Sequence, residues 1–424
     1  MAVMAVVGSL KRHVREFLLR RSGGLDLTKL DRIPDSMAWP LHRDGIDPHP
    51  RLATQRAVDP VQKLTTFLGL DIWLITGYDE SREVLGDVTH STDIRPYMGK
   101  SGDVETGDIG GLGFTDPPEH TRQRKLLQGE FTMRRLKRLE PSITEVVEKQ
   151  LAATESAAVD GVVDLVQTFA FPVPFRVICD LLGLPDEQRE TFRQLGTARF
   201  DVSRGGMGSI GAISGSRKFL LAETARQRND PGHGLIGQIV REHGEEINDF
   251  DLGGLADGAF NGGMETSASM LALGTAMLLQ HRETWHGLAQ GSVDVDQVVE
   301  ELLRLVAPVQ VAFPRFAKRD VQVGGHLIRE GSVVLAHLPA ASRDERRTNG
   351  EGFCPSATSS QHLAFGHGLH RCVGAELARM ELRTAFPALA RRFPDMQLAI
   401  EVADLDFHAT SIVYGVESLP VRLH

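Results

Sequence analysis

The chain is predicted to be mainly α-helical, a large helical body with small β-sheets near its N- and C-terminal parts. Three observations predict this. From residue 117 to about 292, apolar residues recur at the three-and-four spacing of a helix with one face on a core, punctuated by Pro172, Pro174, Pro185 and Pro231. Two more stretches, 294–306 and 373 to about 391, carry the same period. The segments with strand character (71–76, 321–324 and 333–337) are short, bounded by turn residues, and confined to the first 80 and last 120 residues.

Taken in order, residues 1–60 are rich in Pro, Asp, His and Arg and are read as an irregular lead-in, with 61–424 as a single domain. After the strand at 71–76 a helix begins near Glu80. Residues 88–114 hold six glycines and few aliphatics, so a long loop is expected, and long loops in compact domains are often binding elements. The tail alternates weakly, as strands do. No internal repeat or low-complexity tract is present.

Composition narrows the function classes. Of 424 residues, 41% are hydrophobic and 24% charged, ordinary for a globular enzyme and wrong for a collagen-like, coiled-coil or wholly disordered chain. The net charge of −9, with no basic block, disfavours nucleic acid, whose phosphates need clustered cations. Cys179, Cys354 and Cys372 are too few and scattered for a disulfide framework or a four-cysteine zinc site, which suggests a reducing cytoplasm. The apolar start covers only seven residues, and Lys11, Arg12 and Arg15 follow it; a secretory signal has the opposite order and a membrane span is far longer. The stretch 6–19 reads as a terminal helix.

Two textual motifs carry no function. Gly206-Met-Gly208-Ser-Ile-Gly211 satisfies GxGxxG, but no hydrophobic strand precedes it, as a dinucleotide fold requires. Gly99-Lys100-Ser101 imitates the end of a phosphate loop, yet Ile94 stands where the opening glycine belongs.

The informative segment is Phe365-Gly-His-Gly368-Leu-His370-Arg-Cys372-Val-Gly374, running into a helix. A thiol at a helix mouth meets positive potential and free N–H groups, which lower its pKa and temper a thiolate's charge. Gly368 and Gly374 let backbone approach a flat partner closely, and Phe365 keeps water from the sulfur. FxxGxxxCxG resembles the haem-binding signature of the cytochrome P450 family, with Cys372 as the proximal thiolate ligand of the iron. The resemblance spans roughly residues 70–424, and soluble bacterial members are the nearest in style.

Other family landmarks follow in order. Glu301 and Arg304 resemble the structural ion pair that braces the loop beneath the haem. A second arginine is usual shortly before the 362–366 string; Ala357 stands there, which puts that part of the brace in doubt. Gly262-Gly263-Met264-Glu265-Thr266 resembles the [AG]Gx[DE]T signature. Two adjacent glycines inside an apolar helix cost about 1 kcal/mol each relative to Ala, so a groove is expected there, with Glu265 and Thr266 as the acid–alcohol pair that relays protons. His120, Arg124, Arg315 and His370 resemble the partners of the haem propionates.

The resemblance implies a P450 fold and a haem-thiolate monooxygenase that holds haem b. It also implies electrons from an external ferredoxin- or flavodoxin-type donor and a mid-sized hydrophobic substrate from secondary metabolism. Phe260, Asn261, Val309, Phe313 and Ile412 would line the pocket. Arg122, Lys125, Arg134, Arg135 and Arg371 would offer the donor a basic patch. A peroxide-driven or rearranging haem-thiolate enzyme, or a haem-based sensor, is the alternative.

Overall fold

The computed structural model describes residues 35–67, 69–94, 111–196, 207–356 and 361–424. Its axis is a 32-residue helix, Asp249–Gln280 (α2, with α1 denoting Glu119–Glu130). The Asn248 side chain caps α2 by accepting from the Asp251 N–H, supplying an acceptor to an amide that has none within the helix. From Leu252 to Leu279 most of its residues are buried, so α2 is wrapped on nearly all sides, by Pro172–Leu182, Met207–Asn229 and the helix Ala375–Arg392 (α4) among others. A Cβ at Gly274 would sit 2.7 Å from Cζ of Phe386, so α2 and α4 cross closely only because position 274 lacks one. Val295–Val306 (α3) packs on α4 after Asp294 caps the amides of Asp296 and Gln297.

The main sheet has five strands in the order Val61–Phe67, Leu70–Ile75, Val333–Ala336, Arg315–Ala317 and His90–Ser91. Leu70–Ile75 and Val333–Ala336 pair in parallel, with Trp73 opposite Val334. The two ends of the chain are therefore stitched into one layer beside the helices. A third strand component departs from expectation: Val162–Asp164 lies inside the stretch read as helical and pairs with Pro420–Arg422. Asp160 and Gly161 both take positive φ, 50° and 76°, which breaks the helical path and lets the Val-Val pair extend.

The lead-in is also more ordered than its composition suggests. Pro50–Val58 is a helix opened by Pro at its first turn and capped by His49. Leu52 and Trp39 pack on Leu74 and Ala340, so position 61 is not a break in packing. Gly208 and Gly211 of the GxGxxG string lie within the helix Met207–Asn229, and Gly206 lies outside the described residues. Residues 95–110 of the expected loop lie outside the described residues.

His337 joins these layers. Its Nδ1 accepts from the Ala340 amide at 3.1 Å, so Nε2 carries the proton and donates to the Pro40 carbonyl at 2.9 Å. Burial, reinforced by Arg43 and Arg343, pushes its pKa from 6.5 down to about 3. The unfolded chain then takes up a proton near pH 6.5 that the fold refuses. Stability from this group is complete above that pH and is lost as pH falls toward about 3, at up to about 1.4 kcal/mol per pH unit. His337→Asn should flatten the acid limb of urea-unfolding free energy against pH by one proton's slope.

Candidate active site

The loop ahead of α4 is built to present one sulfur. The Cys372 amide donates to the Phe365 carbonyl at 2.9 Å and the Gly366 amide to Leu363 at 2.8 Å, folding residues 363–372 back on themselves. Gly368 has φ +73°, and a Cβ there would meet the Leu85 carbonyl at 2.5 Å, so the loop lies directly on the helix Tyr78–Gly86. Cys372 is exposed. The surrounding protein nonetheless desolvates the thiol and raises its pKa, while the Gly374 amide and Arg124, Arg371 and Arg379 pull the other way without winning. This corrects the expectation that the helix mouth alone lowers it. A sulfur in this setting becomes an anion when a cationic partner, such as a metal, meets it in the cleft.

Behind the loop, Glu301 and Arg304 form a bidentate pair, with both contacts at 2.8 Å and both side chains buried. Arg304 also donates to the carbonyls of Gly350 at 2.5 Å and Gly352 at 2.7 Å, and Glu301 accepts from the Cys354 amide at 2.8 Å. The pair thus clamps residues 350–354. Ala357 lies outside the described residues.

The four expected propionate partners converge. The rings of His120 and His370 are 4.2 Å apart, and Arg315 and Arg124 lie near enough to depress His370 electrostatically. Burial first, then Arg315 and His120, pushes His370 down to about 3. Arg315 falls to about 10 through burial, with only Asp116 opposing. His120 is 1% exposed, yet neither ring nitrogen has a hydrogen-bond partner. Two buried orphan nitrogens beside two desolvated guanidiniums call for an anion, and paired carboxylates would fit. Thr92, which sequence reading missed, contacts His370 Nε2 through its hydroxyl at 3.3 Å. A lone Thr in a loop gives no sequence signal.

On α2 the helix runs unbroken through Gly262-Gly263. The glycines act by leaving room: Gly262 and, one turn earlier, Gly258 are exposed, and a Cβ at either meets nothing within 4 Å. Gly258 was not anticipated; its spacing of four from Gly262 was the available signal. The Thr266 hydroxyl donates to the Gly262 carbonyl at 2.6 Å, so its proton is engaged within the helix rather than offered to the cleft, as had been expected. Its oxygen lone pairs remain able to accept. Ser267, the next residue, bonds to Glu381 of α4, whose buried carboxyl is raised to about 8.

The pocket expectations divide. Phe260 is fully buried, 4.1 Å from Phe192 and 6.4 Å from Phe175 between ring centroids, so it packs the core instead of facing the cleft. Its neighbour Asn261 is half-buried; Nδ2 donates to the Asp257 carbonyl, leaving Oδ1 with no partner. Val309 bridges Val413, and the Gln310 amide donates to the Ile412 carbonyl at 2.9 Å, bringing those two segments together. Phe313 and Ile412 are exposed, and Phe313 sits edge-on to Phe114 at 4.9 Å. The basic patch is weaker than expected. Arg122 pairs with Glu119 and Asp251, and Arg135 with Glu130 and Glu242, leaving Lys125, Arg134 and Arg371 exposed.

A family model described as cytochrome P450 matches residues 295–399, which include the ion pair and the cysteine loop. Cytochrome P450 165C4 of Amycolatopsis orientalis is 38% identical over 87% of this chain and 93% of its own length. Cytochrome P450 monooxygenase PikC of Streptomyces venezuelae is 35% identical over 89% and 91%. The solved structure of P450 StaH, from glycopeptide antibiotic A47934 biosynthesis, superposes with a TM-score of 0.80 at 36% identity, covering 90% of this chain and 99% of that one. Among the described residues no helix is long and apolar enough to cross a membrane. With the cysteine loop, its brace and the helix above it all in place, the chain belongs to the cytochrome P450 family and is a monooxygenase of that family.

Proposed function

We propose that this monooxygenase holds haem b and inserts one oxygen atom from O2 into a mid-sized hydrophobic small molecule. The reaction would be a hydroxylation or epoxidation in bacterial secondary metabolism, carried out in the cytoplasm. The observation that carries the reading is the exposed Cys372 sulfur, with Arg124 among the charges acting on it and with the orphaned His120 nitrogens and Arg315 gathered at His370, two residues before it. Haem supplies the oxidising chemistry when bound, driven by the electron density that a thiolate ligand donates. Electrons would come from a ferredoxin- or flavodoxin-type donor.

The chain's own groups set the rest. His120, Arg124, Arg315 and His370 would hold the carboxylates of the cofactor. Phe365 and the 363–372 fold would shield the sulfur on its protein side only. Glu265 accepts protons from solvent and passes them along α2, while the Thr266 oxygen accepts a hydrogen bond within the cleft. Gly258 and Gly262 leave space for the substrate, and Phe114, Phe313 and Ile412 give it apolar walls.

A panel of hydrophobic natural-product scaffolds, titrated into the haem-loaded protein, tests this. At least one should shift the haem spectrum and support oxygen uptake that depends on both the compound and a ferredoxin system. With that compound, Glu265→Gln should slow product formation by about a hundredfold, in the range that proton transfer contributes. Thr266→Ala should keep consuming reductant while the product yield per electron falls. Oxygen uptake indifferent to every compound would overturn the reading.

A further inference from the structure

We propose that Arg379 is a positioning residue for the thiolate, acting with Glu300 and His362 as a second clamp on the Cys372 loop. The proposal rests on Cys372 being the iron ligand. It is distinct from the Glu301–Arg304 brace, whose hydrogen bonds go to Ser342, Gly350, Gly352 and Cys354.

Glu300 of α3 receives two bonds from Arg379 of α4, Nε at 2.5 Å and Nη2 at 2.9 Å, so the fork is bidentate. It also faces His362 Nε2 at 3.0 Å. The other ring nitrogen of His362 accepts from the Ala364 amide at 3.2 Å, which leaves Nε2 to donate to Glu300. Burial alone would raise Glu300, but Arg379 and His362 outweigh it and hold the carboxyl at about 2. The Arg379 side chain is 12% exposed and that of His362 4%, so solvent screens the network little.

Arg379 reaches the cysteine through Phe365. Its guanidinium lies 4.7 Å over the Phe365 ring, and the Phe365 carbonyl is the acceptor for the Cys372 amide. A cation–π contact therefore pins the residue whose backbone orients the sulfur. Glu376 takes the remaining Nη1 at 2.9 Å, leaving the guanidinium engaged on every side. One charged plane thus ties α3, α4, His362 and Phe365 to the loop.

The test uses hydrogen exchange in the haem-free protein and the ferrous carbonyl spectrum of the loaded protein in moderate urea. In Arg379→Met the amides of Ala364, Gly366 and Cys372 should exchange about tenfold faster, while buried amides of α2 such as Leu271 keep their rates. The thiolate form of the carbonyl spectrum should be lost about tenfold faster as well. Arg379→Lys, which keeps charge but not the fork or the stack, should fall between. If Arg379→Met does not fold, Glu300→Gln makes the same comparison with an isosteric change. Unchanged rates in both measurements overturn the proposal, and so does acceleration spread evenly over the whole chain. If the wild-type protein shows no thiolate carbonyl form, the functional reading fails, and the exchange rates still decide the clamp.

Discussion

Cys372→Ser abolishes oxygenation while leaving the fold and the cleft intact. A serine hydroxyl fits the space of the thiol, and the backbone bond from position 372 to Phe365 does not involve the side chain. The fold should therefore persist, with an unfolding midpoint close to that of the wild type. What disappears is the anionic ligand. A thiolate donates electron density that favours O–O cleavage, and an alcohol does not. Product formation should fall at least about a thousandfold, equivalent to about 4 kcal/mol of barrier. The carbonyl complex of the reduced, haem-loaded variant should lose the red-shifted band of thiolate ligation. His120, Arg124, Arg315 and His370 stay in place, so haem should still bind, though more weakly. A variant that keeps both the band and turnover would remove Cys372 from the mechanism.

How much of this was legible in the sequence depends on the range of each interaction. The cysteine loop was readable because its chemistry is local: glycines, aromatic and thiol sit within ten residues and fold back on one another, although the contacts from three helices that hold the loop in place are not visible in the string. The helices α2 and α3 were readable for the same reason, since apolar period and capping residues are short-range signals. The pairing of Leu70–Ile75 with Val333–Ala336 was not, because strands more than 250 residues apart carry no mark of their partner. Val162–Asp164 was missed because its strandedness depends on Pro420–Arg422 and on two positive φ angles beside it. Phe260 was misplaced through direction: two residues along a helix turn a side chain by about 200°, which puts the packed Phe260 on the side away from the open Gly258 and Gly262. The Thr266 bond to Gly262 is an i to i−4 contact, available to any helical threonine, and sequence does not reveal whether it forms.

Arg304→Met is expected to be the most destabilising single change among the site residues. It strands the Glu301 carboxylate, which is 3% exposed, and removes the donors to Gly350 and Gly352 in the same stroke. Breaking a buried pair from one side typically costs about 3–5 kcal/mol, because the surviving charge has no water to turn to. Against a typical domain stability of about 5–15 kcal/mol, that is enough to leave a large unfolded fraction at moderate urea. Glu301→Gln should cost less. Its amide oxygen can still accept from the Cys354 amide, and Arg304 keeps its two carbonyl acceptors. The double variant Glu301→Gln/Arg304→Met should be less destabilised than the sum of the two singles, since the carboxylate that suffers from losing Arg304 is gone. Urea unfolding of all four haem-free proteins measures this coupling. Strict additivity would mean that the two residues brace the 350–354 segment independently, and that the ion pair itself contributes nothing.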